Sequence, residues 1–346
     1  MISLQNLKIG YSSSHRFKQN EPMAVFSDIN LDANSRQSIA LIGQNGIGKS
    51  TLLRTIANLQ NAISGKILIN NKLITDYKQH ELAKIISYVS TNNANLPNLT
   101  VSELISLGRF PHTNWIGNLK DADRQIISKS LEVTEIKHLK NKSVNQISDG
   151  EKQRVMIARA LAQNTDIIIL DEPTAFLDLA NKHHLSYIIN KLSKEENKLV
   201  IFSTHDLNIA IKYADTIWLM LPDKIISGSP EDLIIDKKFS LIFKNKNIKF
   251  DDFNADFNFD KKIIHQVQLI IDEPKNSPPN KEMELYQYWT IKALERIGYE
   301  IKQNAKISVI IKQEENQIVW QTNQNNKIKT HKTITELLEN LFIISL

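Results

Sequence analysis

Cysteine is absent from this chain of 346 residues. It therefore forms no disulfide and offers no thiolate ligand to a metal. Glycine and proline are scarce, at ten and nine, which excludes a collagen-like or Pro/Gly-rich low-complexity chain. No apolar run reaches the ~18–20 residues that a membrane-spanning helix needs. The opening residues Met1-Ile2-Ser3-Leu4 carry neither a basic segment nor a long apolar one, so no secretory signal is expected. A strong excess of either charge is also lacking. Residues 1–243 hold 28 basic and 24 acidic side chains, and residues 244–346 hold 15 and 14. A nucleic-acid binder concentrates basic charge in a stripe, and none is visible here, so no nucleic-acid partner is expected. The net charge of +5 is compatible with work near an anionic membrane surface.

What is present is ordinary globular composition, 41% hydrophobic and 23% charged. The length predicts two or three domains. Residues 1–243 alternate short apolar runs with helical spacing, the pattern of an α/β domain with a largely parallel core sheet. Ser38-Ile39-Ala40-Leu41-Ile42, Ile167-Ile168-Ile169-Leu170 and Leu199-Val200-Ile201-Phe202 read as strands covered on both faces. Residues of about 92–162 read as a helical insertion. Residues 244–262, rich in Lys, Asn, Asp and Phe, read as a linker. Residues 263–346 give a small α+β pattern. It runs as a strand over 267–271, a helix near 282–297, strands over 307–311 and 317–320, and a helix near 334–341. Asn276-Ser277-Pro278-Pro279-Asn280 breaks its first strand from its first helix.

Gly43-Gln44-Asn45-Gly46-Ile47-Gly48-Lys49-Ser50-Thr51 fits G-x-x-x-x-G-K-[ST] between a predicted strand and a predicted helix. That is the architecture of a P-loop NTPase. Glycines let the backbone turn its N–H groups onto phosphate oxygens, and the helix N-terminus adds a positive dipole end. Gly43, Asn45, Gly46, Gly48, Lys49, Ser50 and Thr51 are the expected nucleotide contacts. Lys49 reaches the β- and γ-phosphates, and the Ser50 hydroxyl ligates Mg²⁺. About 120 residues later, Asp171-Glu172 ends an apolar strand. Asp171 is expected to hold Mg²⁺ through water, and Glu172 to polarise the attacking water as general base.

Ile147-Ser148-Asp149-Gly150-Glu151-Lys152-Gln153-Arg154 opens a helical run and narrows the family. It resembles the signature motif of ABC ATPases, in which a serine at a helix N-terminus contacts the γ-phosphate bound by a partner subunit. The resemblance covers residues of about 1–240. It implies that Tyr11 stacks on adenine, that Ser148 and Gly150 contact nucleotide across a homodimer, and that His205 contacts the γ-phosphate. Phe176-Leu177-Asp178 resembles the loop after the catalytic Glu that meets the partner, with Asp178 at the nucleotide. Leu96 to Leu104 and Leu107 to Trp115 are similar to the helical subdomain of importer ATPases for iron–siderophores, haem and cobalamin. Phe110 and Trp115 would suit its docking surface.

Two positions depart from the family pattern. Thr91 stands where a glutamine contacts Mg²⁺ or the attacking water, with Asn92 as a neighbouring substitute. Asp149 replaces the first signature glycine and is expected to point away from the phosphate. The resemblance implies an ATP- and Mg²⁺-dependent ATPase subunit of such an importer. It would bind the cytoplasmic face of the plasma membrane through polytopic permease subunits and, through them, a substrate-binding protein. Another transporter's ATPase, or a non-transport ABC ATPase acting on nucleic acid or ribosomes, is the alternative. The non-transport members usually carry two cassettes in one chain or a long coiled coil, and this chain has one P-loop and no sustained heptad. Residues 263–346 carry no motif that assigns them a role.

Overall fold

The computed structural model describes residues 1–11, 23–90, 98–113, 117–243, 248–259, 263–272, 281–314, 317–325 and 327–345. Thr91, Asn92, Leu96, Trp115 and the break at Asn276–Asn280 lie outside them. The chain forms two compact units, Met1–Asn258 and Phe259–Leu346.

The first unit begins with strands β1 (Ile2–Tyr11), β2 (Met23–Ala33) and β3 (Ser38–Gly43), then helix α1 (Lys49–Ile56). Strands β4 (Ser64–Ile69) and β5 (Lys72–Leu73), the short helix α2 (Gln79–Leu82) and strand β6 (Ile86–Val89) follow. A helical stretch holds α3 (Val101–Ser106), α4 (Asp121–Val133) and α5 (Asp149–Ala162). The chain then alternates through β7 (Ile167–Leu170), α6 (Leu179–Lys194), β8 (Leu199–Thr204), α7 (Leu207–Tyr213), β9 (Thr216–Met220), β10 (Ile225–Gly228) and α8 (Pro230–Ile235).

Six strands form the central sheet in the order β10-β9-β3-β8-β7-β6. All neighbours pair parallel except β10, which runs antiparallel at one edge. Both faces are covered. Ile39, Leu41, Ile167, Ile169, Leu199 and Ile201 enter one core, while Ala40, Ile42, Ile168, Leu170, Val200 and Phe202 enter the other. Burial on both faces is why these strands read as unbroken apolar runs rather than as alternation. Strands β3, β8 and β7 are adjacent, so the loops after them meet at one edge, where ligands bind in open α/β sheets. A second, antiparallel sheet, β2-β1-β4-β5, packs on the first core. The sequence reading missed it because irregular register breaks the alternation: the inward residues are Ile2, Leu4, Leu7 and Ile9 in β1 and Phe26, Ile29, Leu31 and Ala33 in β2.

The helical stretch is pinned by one buried ion pair. Arg109 Nε donates to Asp123 Oδ1 at 2.8 Å, and Arg109 also donates to Ala162 O at 2.8 Å. The segment before α4 is thereby fastened to the C-terminal end of α5. The Lys120 backbone N–H, together with the Arg109 guanidinium, holds the Asp123 carboxyl below the usual carboxylate range.

In the stretch read as a linker, strands β11 (Ile248–Asp251) and β12 (Asp256–Phe259) form a two-stranded sheet. Phe250 lies 5.2 Å from the Phe239 ring and 5.1 Å from the Phe257 ring, and Phe250 and Phe257 pack on the core. Aromatic packing orders residues whose neighbours are mostly Lys, Asn and Asp.

The second unit contains β13 (His265–Asp272), α9 (Lys281–Arg296), β14 (Tyr299–Ile301), β15 (Ile307–Glu314), β16 (Gln317–Gln324), β17 (Lys327–His331) and α10 (Ile334–Ser345). Its sheet order is β14-β13-β15-β16-β17. Val267, Val309, Ile311 and Trp320 pack with Met283 and Leu294 of α9 and with Leu337 and Leu341 of α10 in one core. The Trp320 indole donates to Thr290 Oγ1 at 2.8 Å, which satisfies its buried N–H. Strands β14 and β17 escaped the sequence reading. The first has three residues, and the second, Lys-Ile-Lys-Thr-His, buries only its last.

Asp123→Ala would leave a buried guanidinium without its counter-ion, and we expect it to cost about 3–5 kcal/mol in urea unfolding of the full chain. The Asp123 pKa is lower folded than unfolded. Its contribution is therefore present above pH ~4 and lost as pH falls through the lowered value, a dependence that Asp123→Asn should remove.

Candidate functional site

The phosphate-binding loop runs from the end of β3 into α1. Gly46 and Gly48 take φ of 79° and 115°, a region that side chains rarely adopt. A Cβ on Gly48 would also lie 2.6 Å from Val25 Cγ1. The loop therefore needs glycine at 48 for both conformation and space. Lys49 is 5% exposed, and its ammonium donates to Gly43 O at 2.9 Å and Gln44 O at 3.3 Å. It lies 3.9 Å from Glu172 Oε1. Burial pushes its pKa below the ordinary lysine value, against the opposing pull of Glu172 and Asp171. The Tyr11 hydroxyl is 3.3 Å from Thr51 Oγ1, so this half-exposed ring stands beside the start of α1. Asn45 is exposed on the loop.

Asp171 follows β7 and is 2% exposed. Three hydroxyls hold its carboxylate. Ser50 Oγ and Ser203 Oγ donate to Oδ1 at 3.0 and 2.8 Å, and the Tyr88 hydroxyl donates to Oδ2 at 3.1 Å. Burial, with the Asp171 charge beside it, pushes the Tyr88 hydroxyl up to about 12, so it remains a donor at neutral pH. Ser203 Oγ also accepts the Glu172 backbone N–H at 2.7 Å. Glu172 itself takes φ of 48°. The Ser50 hydroxyl and the Asp171 carboxylate are hard oxygen donors in contact. One or two protein oxygens of this kind are the usual share of a Mg²⁺ shell, the rest being water and phosphate oxygens. Sequence reasoning missed Tyr88 and Ser203. Both sit inside strands, and only a hydroxyl at the end of the apolar run of β8 hinted at the second.

The signature residues form a separate group. Ser148 caps α5, with its Oγ accepting Glu151 N at 3.3 Å and donating to Glu151 Oε2 at 2.9 Å. The Ser148 backbone N–H holds the Glu151 carboxyl below its usual range. Asp149 turns to Lys152 at 3.1 Å, and its side chain is 75% exposed. Gly150 faces Asn181, whose Cγ would lie 2.9 Å from an added Cβ. Asn181 in turn bonds Asp178, the cap of α6, through its backbone N–H at 2.8 Å and its side-chain amide at 2.9 Å. Neither Ser148 nor Asp178 bonds a residue of the phosphate-binding loop. His205 is exposed between β8 and α7. Phe110 and Phe176 are exposed too, at 76% and 95%.

One chain thus joins Tyr11, Lys49, Ser50, Thr51, Asp171 and Glu172 around the loop. It leaves Ser148, Gly150 and Asp178 as a second constellation, with His205 exposed at the end of β8.

The ABC transporter family matches residues 26–175, and the iron ABC transporter C-terminal domain matches residues 284–342. The latter gives a family to the second unit, which the sequence motifs left unassigned. An uncharacterized ABC transporter ATP-binding protein of Methanocaldococcus jannaschii is 34% identical over 78% of this chain and 91% of its own length. The iron(3+)-hydroxamate import ATP-binding protein of Bacillus subtilis is 35% identical over 62% of this chain and 76% of its own. Among solved structures, a dimeric bacterial ABC transporter cassette matches with a TM-score of 0.57 and 28% identity, over 66% of this chain and 99% of that one. With its phosphate-binding loop, paired carboxylates and signature helix on such a fold, the chain belongs to the ABC transporter ATP-binding family and is an ATPase subunit.

Proposed function

We propose that this ATPase powers uptake of an iron chelate, with two copies closing on two ATP molecules and driving separate membrane subunits. The observation that carries the reading is the division of the site. The loop that would cradle the phosphates has no bond to the helix cap that would face them. A second copy supplies the missing half. The iron assignment is supported by the family of the second unit and by the iron(3+)-hydroxamate import relative. Among the described residues no helix is long and apolar enough to cross a membrane. The membrane path would belong to permease partners, which this chain would meet at the cytoplasmic face. Exposed Phe110 offers them an aromatic contact, and a substrate-binding protein would act through them.

The chemistry is positioning and charge stabilisation of a loose phosphoryl transition state. Lys49 would leave its carbonyl partners for the β- and γ-phosphates. Ser50 and Asp171 would hold Mg²⁺, which when bound neutralises phosphate charge. Glu172 would take a proton from the attacking water, and His205 would contact the γ-phosphate. Tyr11 would stack on adenine. Gly43, Asn45, Gly46, Gly48 and Thr51 complete the cradle, and Ser148, Gly150 and Asp178 of the second copy would close it.

Glu172→Gln should keep ATP binding while hydrolysis falls by two or more decades, about 3 kcal/mol. Near-normal turnover in a phosphate-release assay would remove Glu172 as the base. Gly48→Ala strains the loop where φ is 115°, and we expect ATP affinity, measured by equilibrium dialysis, to fall at least about tenfold. Pull-down of the membrane subunits, followed by identification of the chelate held by their binding protein, tests the substrate.

A further inference from the structure

We propose that Ser203 is a positioning residue of the hydrolytic site, its hydroxyl setting the backbone of Glu172 and thereby the aim of the base. This inference rests on Glu172 being that base. Strand β7 lies between β6 and β8, and its N–H groups alternate between the two neighbours. The Asp171 N–H reaches Val89 O of β6 at 2.9 Å. The next N–H, that of Glu172, bonds not a carbonyl but Ser203 Oγ, at 2.7 Å. The same hydroxyl sends its own proton to Asp171 Oδ1 at 2.8 Å. One buried atom therefore fastens the carboxylate of one residue and the main chain of the next. Ser203 is 0% exposed, so bulk water has no access to replace it.

The bond matters because of what Glu172 does after it. Its φ of 48° is a conformation that a residue with a side chain keeps only when its surroundings impose it. That turn places the Glu172 carboxylate 3.9 Å from the Lys49 ammonium. Without the Ser203 oxygen the Glu172 N–H loses its acceptor, and the turn loses its anchor at the point where the strand ends. Packing does not ask for a hydroxyl here. The four residues before it, Leu199 to Phe202, are apolar and fully buried, and a small apolar residue would continue the run at lower desolvation cost.

The test uses the full-length protein with Ser203→Ala, Ser203→Cys and Ser203→Thr, and with Glu172→Gln alongside. For Ala and Cys we expect kcat to fall at least about tenfold while KM for ATP stays within about threefold, because the base is misaimed while Ser50 and Tyr88 still hold Asp171 and the phosphate cradle is intact. Thr, which restores the hydroxyl, should recover most of the loss. Amide exchange of the segment 168–176, followed by mass spectrometry without nucleotide or metal, should accelerate in Ala and Cys but not in Thr. Turnover of Ser203→Ala within about twofold of the parent, or unchanged exchange, would overturn the inference. So would a fall in kcat matched by lost ATP binding in EDTA, with Thr no better than Ala, since that is general damage. If Glu172→Gln is inactive while Ser203→Ala is normal, the positioning role alone fails. If Glu172→Gln turns over normally, the underlying assignment of the base fails first.

Discussion

The Asp171 carboxylate is sealed almost completely from water near a buried lysine, and this edge of the sheet is organised around holding it still. Burying an uncompensated carboxylate is costly, and proteins offset the cost with hydrogen bonds and opposite charge. Here three hydroxyls from three elements converge on it. Ser50 comes from α1, Tyr88 from β6 and Ser203 from β8, so the strand order determines which side chains can serve. A one-residue slip of β6 or β8 would turn its hydroxyl to the other face of the sheet. Register, electrostatics and the aim of the neighbouring Glu172 are thus one constraint.

The same constraint explains the state of Lys49. Burial lowers its pKa and two carboxylates oppose that shift, while its ammonium rests on the carbonyls of Gly43 and Gln44. Those carbonyls are weaker partners than phosphate oxygens, since a hydrogen bond between two ions is stronger than one to a neutral acceptor. The signature helix is different. Ser148 commits its hydroxyl to a capping box with Glu151, and the Asp178 carboxylate accepts from Asn181, which shapes two helix ends without touching the loop.

Much of the candidate nucleotide-binding edge was legible in the sequence because its residues are local. The phosphate-binding loop is nine consecutive positions, and Asp171-Glu172 are adjacent at the end of an apolar strand. The long-range partners were not legible. Ser203 lies 32 residues from Asp171 and Tyr88 lies 83, and only strand order brings them together. The fold shows the same division. The central strands and the main elements of the second unit follow from apolar runs, whereas β14 and β17 are too short or too polar to stand out. The strands β11 and β12 were hidden by composition, since two phenylalanines carry the packing among mostly polar neighbours.

The central claim is that each nucleotide pocket is shared between two copies, and complementation tests it directly. Lys49→Ala removes the loop half of a pocket and Ser148→Arg removes the cap half, so each variant alone should be inactive. Mixed in equal amounts, half of the dimers would hold one pocket with both halves intact, and ATP turnover should recover to about a quarter of the parent's. A mixture as inactive as its components, at protein concentrations where the parent is active and dimeric, would show that the pocket is not shared and would contradict the account.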